Sequence, residues 1–377
     1  MSVIKINNFI KNSKLETPFL VIDLSLVSKS YNNIKKFFPK NRIYYAVKAN
    51  PSIEILNCLK NEGAYFDVSS KNEIKLCLSQ SISPEHLSFG NTIKKDKDIL
   101  WAYKKGIKLF AFDSIEELNK IENNAKTSKV FCRLQVPNQG ANWPLSKKFG
   151  CSVNMAKELM LAASKKNLTP VGLSFHVGSQ QVNISRWVES LKLCFEVYSF
   201  LKEKNIFIDF INIGGGIPVN YDDFNFNLKS FSQKLNKSIN SIFGSNPINI
   251  ILEPGRSIVA EAGVIESEVI LVSKKHVNDN KRWVYLDIGR FGGLAETESE
   301  AIRYKIIPVK NSSKCGPVNI AGPSCDGADI IYEKYNYELP KNLKSGDKVR
   351  IYSAGAYTSV YVSDFNGLQR LKEYFIK

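Results

Sequence analysis

Residues 43–70 read IYYAVKANPSIEILNCLKNEGAYFDVSS, and this stretch decides the fold class. An apolar, β-branched run (Ile43–Lys48) is followed by a helical pattern (Ser52–Gly63) and by a second strand-like run (Tyr65–Ser70). This alternation of strand, helix and strand predicts parallel strands that are joined by crossover helices.

The same unit repeats along the chain as far as about residue 253. The further strand-like runs are Leu87–Gly90, Leu109–Phe112, Val130–Val136, Val171–Val177, Phe207–Ile213 and Ile248–Glu253. The further helical patterns are Lys71–Ser81, Lys95–Gly106, Ser114–Ala125, Met155–Asn167, Trp187–Asn205 and Leu228–Phe243. Eight such units favour a closed parallel (β/α)8 barrel of the TIM type. An open doubly wound sheet is the alternative, but the GxGxxG that it would want after the first strand is absent.

The pattern changes after Arg256. Turn residues separate several strand-like runs, and no long helical pattern intervenes, which predicts an α/β chain whose second part is a mostly antiparallel β-domain. These runs are Val264–Val272, Arg282–Ile288, Val318–Ala321, Lys348–Ser353 and Thr358–Val362. We expect residues 25–256 to form the barrel and residues 257–377 the β-domain. The N-terminal segment 1–24, which contains the strand Phe19–Leu24, is expected to join that β-domain.

Composition narrows the function classes. The 377 residues include 52 basic and 36 acidic ones, which gives a net charge of +16, and 44% are hydrophobic, so global disorder is excluded. Only nine residues are arginine, and the lysines are spread along the chain without an aromatic-interleaved basic patch. The charge therefore indicates a solvated surface, with neither nucleic acid nor membrane as a partner. No apolar run is long enough for a membrane helix or a signal peptide, and we expect a soluble cytoplasmic protein.

Cysteine and histidine patterns argue against a metal site. The chain has seven cysteines without a CxxC pair and three histidines without an HExxH motif. Neither pattern provides a zinc ligand set, so no metal is expected and the cysteines are interpreted as free thiols.

Polar residues and glycines fall where the predicted barrel strands end, which is the face where chemistry takes place in such barrels. They are Lys48, Asp67, Arg133, His176, Ser179, Gly214, Gly215, Gly216, Glu253, Gly255 and Arg256. A lysine among apolar neighbours can act as an amine nucleophile toward an aldehyde. Consecutive glycines and an arginine after the last strands can bind a phosphate, and an inward glutamate can keep a ring nitrogen protonated. An aldehyde, a phosphate and a basic ring nitrogen together describe pyridoxal 5′-phosphate (PLP).

Motifs that run in order along nearly the whole chain support this interpretation. They are YYAVKANP (44–51), FDVSSKNEI (66–74), KKFG (147–150), SFHVGSQ (174–180), INIGGGIP (211–218), EPGR (253–256), GPSCDGAD (322–329), GAYT (355–358) and FNGLQR (365–370). Together they resemble the fold type III, alanine racemase-like PLP-dependent amino-acid decarboxylases, and within them the ornithine decarboxylase group.

The resemblance implies a role for each matching residue near the cofactor. Lys48 would form the Schiff base with PLP, Glu253 would pair with the pyridinium nitrogen, and His176 would stack on the ring. The phosphate would be held by Ser179, Gly214, Gly215, Gly216, Gly255, Arg256 and Tyr357. Asp67 and Arg133 would support the cofactor.

The resemblance also implies a shared site in a homodimer. Cys325 would return a proton to Cα after CO₂ leaves, and Asp326 would bind the distal ammonium group of the substrate. These two residues and the Phe365 region would reach the site from the second subunit.

The product of ornithine decarboxylation is putrescine, a precursor in polyamine biosynthesis.

The substrate is inferred from smaller differences. Relatives act on ornithine, lysine, arginine, meso-diaminopimelate or carboxynorspermidine, and those that take diaminopimelate typically carry a CESGD-like motif. This chain has CDGAD and few arginines for a second carboxylate, so a terminal amine is favoured. An ungapped placement puts Glu300 at the second acid that grips this amine, with Glu296 and Glu298 as alternatives. A glutamate shortens the pocket relative to an aspartate, which favours ornithine over lysine.

Functions of other classes are disfavoured by residues that are present or missing. A catalytically inactive regulatory homologue would be expected to lose Lys48 or Cys325, and the chain keeps both. A racemase on the same kind of barrel needs a base on each face of Cα, and no racemase-like tyrosine motif accompanies the other motifs.

Overall fold

A computed structural model describes residues 2–143, 148–221, 225–244, 248–310 and 314–377. Lys147 of the KKFG motif lies outside the described residues. None of the helices in the described ranges has the length and apolarity needed to cross a membrane.

Most helices of the described chain follow the strands of the first two-thirds. In chain order they are α1 (Ser2–Asn12), α2 (Leu24–Phe37), α3 (Ile53–Asn61), α4 (Lys71–Ser79), α5 (Asp96–Lys104), α6 (Ile115–Asn124), α7 (Val153–Ser164), α8 (Ser185–Glu203), α9 (Leu228–Phe243) and α10 (Arg256–Val259).

The strands are short in the first two-thirds of the chain and longer after residue 260. In chain order they are β1 (Phe19–Asp23), β2 (Arg42–Ala46), β3 (Tyr65–Val68), β4 (Leu87–Phe89), β5 (Leu109–Phe112), β6 (Lys129–Arg133), β7 (Ala141–Trp143), β8 (Thr169–Ser174), β9 (Ser179–Gln181), β10 (Phe210–Asn212), β11 (Asn249–Leu252), β12 (Gly263–Ser273), β13 (Arg282–Leu286), β14 (Ile306–Pro308), β15 (Cys315–Ala321), β16 (Ile330–Pro340), β17 (Lys348–Tyr352) and β18 (Lys372–Ile376).

Eight of these strands close into a parallel barrel in the order β10-β11-β2-β3-β4-β5-β6-β8. They are the eight strands that the sequence predicts, and the (β/α)8 barrel is confirmed. Ser114 caps the start of α6, because its Oγ accepts from the Glu117 N–H at 3.2 Å. In a barrel of this kind, the carboxyl ends of all eight strands point to one face.

The barrel interior is a packed core. Inward side chains from six strands form one buried cluster of Tyr44, Ala111, Phe131, Val171, Phe210 and Ile251. Burial of each large apolar side chain stabilises the fold by about 1.5–3 kcal/mol. Side chains therefore fill this part of the interior, and the carboxyl ends of the strands are the expected place for a ligand.

The second unit is an eight-stranded sheet in the order β14-β17-β12-β13-β15-β16, with β1 paired to β12 and to β18. Pairing is antiparallel except between β13 and β15 and between β1 and β18, so the mostly antiparallel β-domain is confirmed. The chain divides into a β-unit of Met1–Lys29, Val219–Asn225 and Ile258–Lys377, and a barrel unit of Ser30–Pro218 and Phe226–Ser257. The boundaries expected at residues 24 and 256 stay a prediction.

The predicted strand Thr358–Val362 is wrong. Tyr357 has a left-handed backbone (φ 54°), and a 3-10 turn at Ser359–Tyr361 follows it. The Thr358 hydroxyl donates to the carbonyl of Ala354 at 2.6 Å and closes the chain on itself. Extended pairing therefore stops before this segment.

The sequence interpretation also misses the N-terminal helix α1. Ile6 and Ile10 of this helix pack into a buried cluster with Phe19, Val21 and Val264. The spacing of four residues between Ile6 and Ile10 places both on one helix face. The helix is therefore an integral part of the β-unit core.

Candidate functional site

Lys48 lies in a rigid turn at the carboxyl end of β2. The strand ends at Ala46, and a 3-10 turn (Val47–Ala49) carries the exposed lysine between two buried residues. The buried Asn50 anchors this turn, because its carbonyl accepts from the Tyr45 hydroxyl at 2.8 Å. Its side-chain Oδ1 accepts from the N–H and the hydroxyl of Ser52, at 3.0 and 2.6 Å. The YYAVKANP motif thus holds the backbone of the turn that carries Lys48.

Asp67, at the end of β3, is a buried acid beside this lysine. Its side chain is 4% exposed, and its Oδ1 has no hydrogen-bond partner in the part of the chain that the structure describes. Burial, followed by the negative charge of Glu253, raises the pKa of Asp67 well above its ordinary value, while Lys48 opposes the shift. Gly90 permits this close packing, since a Cβ there would lie 2.0 Å from Asp67 Oδ1.

His176 is a neutral imidazole at the end of β8. Its Nδ1 accepts the N–H of Gly178 at 3.0 Å, which assigns the ring proton to Nε2. Burial lowers the pKa of His176 well below its ordinary value, and the positive charges of Arg133 and Lys48 lower it further. A neutral ring can lie against an aromatic cofactor without the cost of burying a charge.

Arg133 ends β6 and lies among acids. Its guanidinium is 5.1 Å from the centre of the Phe149 ring, so the described part of the KKFG motif contacts it. Burial lowers the pKa of Arg133, while Glu253, Asp113 and Asp67 act in the opposite direction. Since even a lowered arginine pKa leaves the side chain charged, Arg133 is a fixed cation in the barrel mouth.

Glu253 is held by Asn212, a residue that the sequence interpretation does not single out. The Asn212 side chain is 2% exposed, and its Nδ2 donates to Glu253 Oε1 at 2.5 Å. Its Oδ1 accepts the N–H of Gly214 at 2.9 Å. The signal in the sequence is an asparagine two residues before the glycine run.

The glycines after β10 pack against neighbouring backbone. A Cβ at Gly214 (φ 67°) would meet the carbonyl of Phe175 at 2.4 Å, and one at Gly216 (φ 86°) would meet the carbonyl of Gly178 at 2.3 Å. A Cβ at Gly215 would lie 2.6 Å from the carbonyl of Glu253. Only glycine therefore lets this strand end come so close to its two neighbours.

Arg256 and Ser179 form a phosphate-type anchor beside these glycines. Arg256 is 4% exposed, and its Nε donates to Ser179 Oγ at 3.1 Å. Gly255 brings the arginine close to the lysine turn, because a Cβ at this glycine would lie 2.8 Å from that of Ala49. A buried arginine fixed by a hydroxyl is suited to an anion such as a phosphate.

The barrel mouth fits a pyridoxal phosphate. Its groups match the parts of that molecule: an amine on Lys48 for the aldehyde, a carboxylate on Glu253 for the ring nitrogen, and Arg256 for the phosphate. The buried Asp67 oxygen that lacks a partner is an unmet acceptor in the same place. The barrel residues from the sequence analysis therefore lie together, and their individual roles stay predictions.

Cys325 and Asp326 lie in the β-unit, exposed on the loop between β15 and β16. Asp329, which the sequence interpretation did not single out, organises this loop. Its Oδ1 accepts the N–H of Arg290 at 2.7 Å, and its Oδ2 accepts the N–H of Ser324 at 3.0 Å. The loop that carries both predicted residues is therefore built around one buried carboxylate.

The FNGLQR motif docks on the same loop. The N–H of Cys325 donates to Asn366 Oδ1 at 3.1 Å. The ring of Phe365 lies 4.8 Å from that of Phe291, centre to centre. Within the β-unit, Cys325, Asp326 and Phe365 thus belong to one exposed surface.

The carboxylate of Glu300 accepts hydrogen bonds from the backbone of β16. Its Oε1 accepts the N–H groups of Glu333 and Lys334 at 2.7 and 2.6 Å, and its Oε2 accepts that of Tyr335 at 2.7 Å. These bonds lower the pKa of Glu300 against the opposing effect of burial. This geometry disfavours Glu300 as the ligand of a substrate amine.

The two alternatives differ from Glu300 and from each other. Glu296 is 3% exposed, whereas Glu298 is exposed and pairs with Arg290 at 2.8 Å.

Tyr357 belongs to the β-unit, while the other residues assigned to the phosphate belong to the barrel unit. Its part in the phosphate site stays a prediction.

Comparison with known proteins identifies the family. Residues 24–260 match the family model "Pyridoxal-dependent decarboxylase, pyridoxal binding domain". The chain is 30% identical over 355 residues to a lysine/ornithine decarboxylase of Selenomonas ruminantium, covering 94% of this chain and 88% of that protein.

Solved structures support the same family. A lysine/ornithine decarboxylase from Vibrio vulnificus, complexed with cadaverine, superposes with a TM-score of 0.87 at 30% identity, over 100% of this chain and 98% of that one. An arginine decarboxylase of Paramecium bursaria Chlorella virus superposes with a TM-score of 0.90 at 27% identity, over 100% of both chains. The chain belongs to the fold type III PLP-dependent decarboxylases of basic amino acids, the ornithine, lysine and arginine decarboxylase family, and its cofactor is PLP.

Proposed function

We propose that this protein decarboxylates L-ornithine to putrescine. The observation that carries the proposal is the acid Asp326 beside the thiol of Cys325 on one exposed loop, in a family that acts on basic amino acids. Asp326 can bind a distal ammonium group, and Cys325 can supply a proton. The nearby Arg290 is engaged by Glu298 and by the carbonyl of Ala328, which disfavours a substrate with a second carboxylate.

Residues of the barrel mouth are proposed to bind and orient the cofactor. When bound, PLP supplies an aldehyde and an electron-withdrawing pyridinium ring for breaking the bond between Cα and the carboxylate. Lys48 would hold the aldehyde through its side-chain amine. Glu253 keeps the ring nitrogen protonated, and neutral His176 lies against the ring. Asp67 and Arg133 support the cofactor from the ends of their strands.

The phosphate is proposed to lie beside Arg256 and Ser179. Because the N–H of Gly214 already donates to Asn212, the N–H groups of Gly215 and Gly216 are the better donors to a phosphate. Gly255 contributes by its close packing, and Tyr357 by its hydroxyl.

Cys325 completes the reaction. The Cys325 thiol would donate its proton from Sγ to Cα after CO₂ has left, which would give the carbon skeleton of the diamine product. Cys325, Asp326 and Phe365 are proposed to come from the second subunit of a homodimer, which makes each site depend on two chains.

Ornithine is proposed over lysine, which is the alternative substrate. Glu296 and Glu298 stay the alternatives for the second acid that binds the distal amine, because the Glu300 carboxylate accepts from the backbone of β16. With either glutamate, a longer side chain than aspartate favours the shorter substrate.

The test is CO₂ release by the PLP-loaded protein from ornithine, lysine, arginine and diaminopimelate. One methylene group is worth about 10- to 200-fold in kcat/KM, so we expect ornithine to exceed lysine by at least about tenfold. Equal or reversed values for lysine would contradict the ornithine proposal, and a preference for diaminopimelate would contradict the proposed role of Asp326.

A further inference from the structure

Asn212 connects two ends of the proposed cofactor site. It lies at the end of β10, between Ser174 of β8 and Ile251 of β11 in the barrel sheet. Its buried side chain donates to Glu253 Oε1 at 2.5 Å and accepts from the Gly214 N–H at 2.9 Å. One amide thus reaches both the glutamate proposed for the ring nitrogen and the first glycine of the phosphate segment.

These two bonds fix the direction of the amide. Only the amide oxygen can accept the N–H of Gly214, so the amide nitrogen must face Glu253. A nitrogen donor requires an acceptor, so Glu253 Oε1 accepts and does not carry a proton. The second oxygen of Glu253 is then the one available for a ring nitrogen.

The direction of the Asn212 amide matters because a second acid, Asp67, lies near Glu253. Asp67 is buried close enough to Glu253 for their charges to repel, and Lys48 and Arg133 face the same pair. Burial and Glu253 raise the pKa of Asp67, while Glu253 has the donor from Asn212. The Asn212 donor therefore stabilises a carboxylate on Glu253, the acid that is proposed to pair with a protonated ring nitrogen.

From this arrangement we propose that Asn212 is a positioning residue for the cofactor, which aims Glu253 at the ring nitrogen and fixes the start of the phosphate-binding glycine run. The inference rests on the proposed role of Glu253. Asn212 itself touches neither the substrate nor the reacting carbon, and it acts through the two residues it binds.

Asn212→Asp tests the direction of the amide. Aspartate has the same shape and can still accept from Gly214, but it places a second carboxylate against Glu253. We expect the Kd for PLP, measured by titrating cofactor-free protein, to rise about 10- to 100-fold, as for partners that orient metal ligands. We also expect kcat for ornithine to fall with little change in KM, and the absorbance spectrum of the bound cofactor to titrate at a different pH.

The matched control is Asn249→Asp, at the exposed start of β11, where the side chain donates to the carbonyl of Asp209 at 3.0 Å. This variant should keep the wild-type Kd and spectrum. An Asn212→Asp protein that binds PLP as the wild type does, or no worse than the control, would overturn the inference.

A double-mutant cycle with Glu253→Gln guards against a simple folding defect. In the double variant the new glutamine amide can donate to the new aspartate carboxylate, so the pair is restored with its direction reversed. We expect Asn212→Asp to cost little PLP affinity in the Glu253→Gln background, and a full, additive loss would overturn the inference. If Glu253→Gln alone changes neither the spectrum nor kcat, the proposed role of Glu253 fails, and the inference fails with it. If Glu253→Gln alone is impaired but Asn212→Asp behaves as the wild type, only the inference fails.

Discussion

The N–H of Cys325 donates to Asn366 Oδ1 at 3.1 Å, across a separation of 41 residues in the chain. This bond fastens the FNGLQR motif to the loop that carries the proposed proton donor. The loop is exposed, so its order depends on a few such bonds and on the Asp329 carboxylate.

Asn366→Ala should slow decarboxylation without loosening the cofactor. A lost hydrogen bond of about 1 kcal/mol lets the thiol leave its productive position, and we expect kcat to fall about fivefold to tenfold. The Kd for PLP should stay unchanged. The control is Asn342→Ala, an exposed asparagine elsewhere in the β-unit. A wild-type kcat for Asn366→Ala would contradict the proposed importance of this bond.

Cys325→Ala should change the products as well as the rate. Without the thiol proton at Cα, turnover should be slow, and a larger share should end in decarboxylation-coupled transamination, which yields an aldehyde in place of the diamine. Chromatography of the products measures this share. Cys315→Ala, another exposed cysteine of the β-unit, is the matched control. An unchanged product ratio for Cys325→Ala would rule out its role as the proton donor.

Mixing Lys48→Ala chains with the slow Cys325→Ala chains tests whether the site is shared. In random pairing of Lys48→Ala and Cys325→Ala chains, half of the dimers are mixed and each mixed dimer has one intact site, which should restore about one quarter of the wild-type activity. Recovery should need subunit exchange and should be absent when either variant is assayed alone. No recovery, despite exchange shown by mass measurement of tagged chains, would mean that both residues serve the same chain's site.

The barrel was predictable because its signals are local. Each strand-like run is apolar and short, each helix has its own apolar face, and the polar residues fall at the run ends, as Lys48 and Arg256 do. The 3.6-residue and two-residue periods do not need knowledge of distant contacts, so eight strands could be counted from the sequence.

The residues that the sequence interpretation missed or placed wrongly depend on contacts with residues far away in the chain. Asn212 matters because it meets Glu253, which is 41 residues away, and Glu300 is engaged by a strand more than 30 residues further on. An ungapped placement contains no information on hydrogen bonds, so it could not predict that the Glu300 carboxylate accepts from the backbone of β16. The sequence also did not predict that Thr358–Val362 is not a strand. Its pattern resembles a strand, but the left-handed backbone of Tyr357 ends the extended conformation.

Lys94 gives a prediction for stability. Its ammonium group is buried against Glu117 at 2.9 Å and donates to the carbonyls of Asn91 and Ala111, each at 2.7 Å. Burial lowers the pKa of Lys94 to about 8, although Glu117 opposes the shift, and Lys120 lowers the pKa further. Lys94→Met should reduce the free energy of unfolding by about 3 kcal/mol, because it leaves a buried carboxylate with one partner fewer.

The pH dependence of stability follows from the same group. The unfolded chain keeps the ordinary lysine pKa of 10.5, so between pH 8 and 10.5 the unfolded state binds more protons than the native state. The Lys94 contribution to the free energy of unfolding should therefore rise with pH across this range, and below pH 8 the full cost of burying the charge applies. Chemical denaturation at pH 7.5 and 9.5 measures it. The exposed Lys97→Met should keep the wild-type dependence, and an unchanged difference in Lys94→Met would contradict this assignment.

The most direct measurement concerns which lysine bears the cofactor. Lys94 also has a lowered pKa, which favours reaction of an amine with an aldehyde, but its side chain is buried, so it is the comparison for Lys48. Borohydride reduction of the PLP-loaded protein makes the bond between the amine and the cofactor permanent, and peptide mass spectrometry then locates it. We predict one phosphopyridoxyl group, on Lys48, and loss of this label together with ornithine decarboxylation in Lys48→Ala. A label on Lys94, or undiminished decarboxylation by Lys48→Ala, would contradict it.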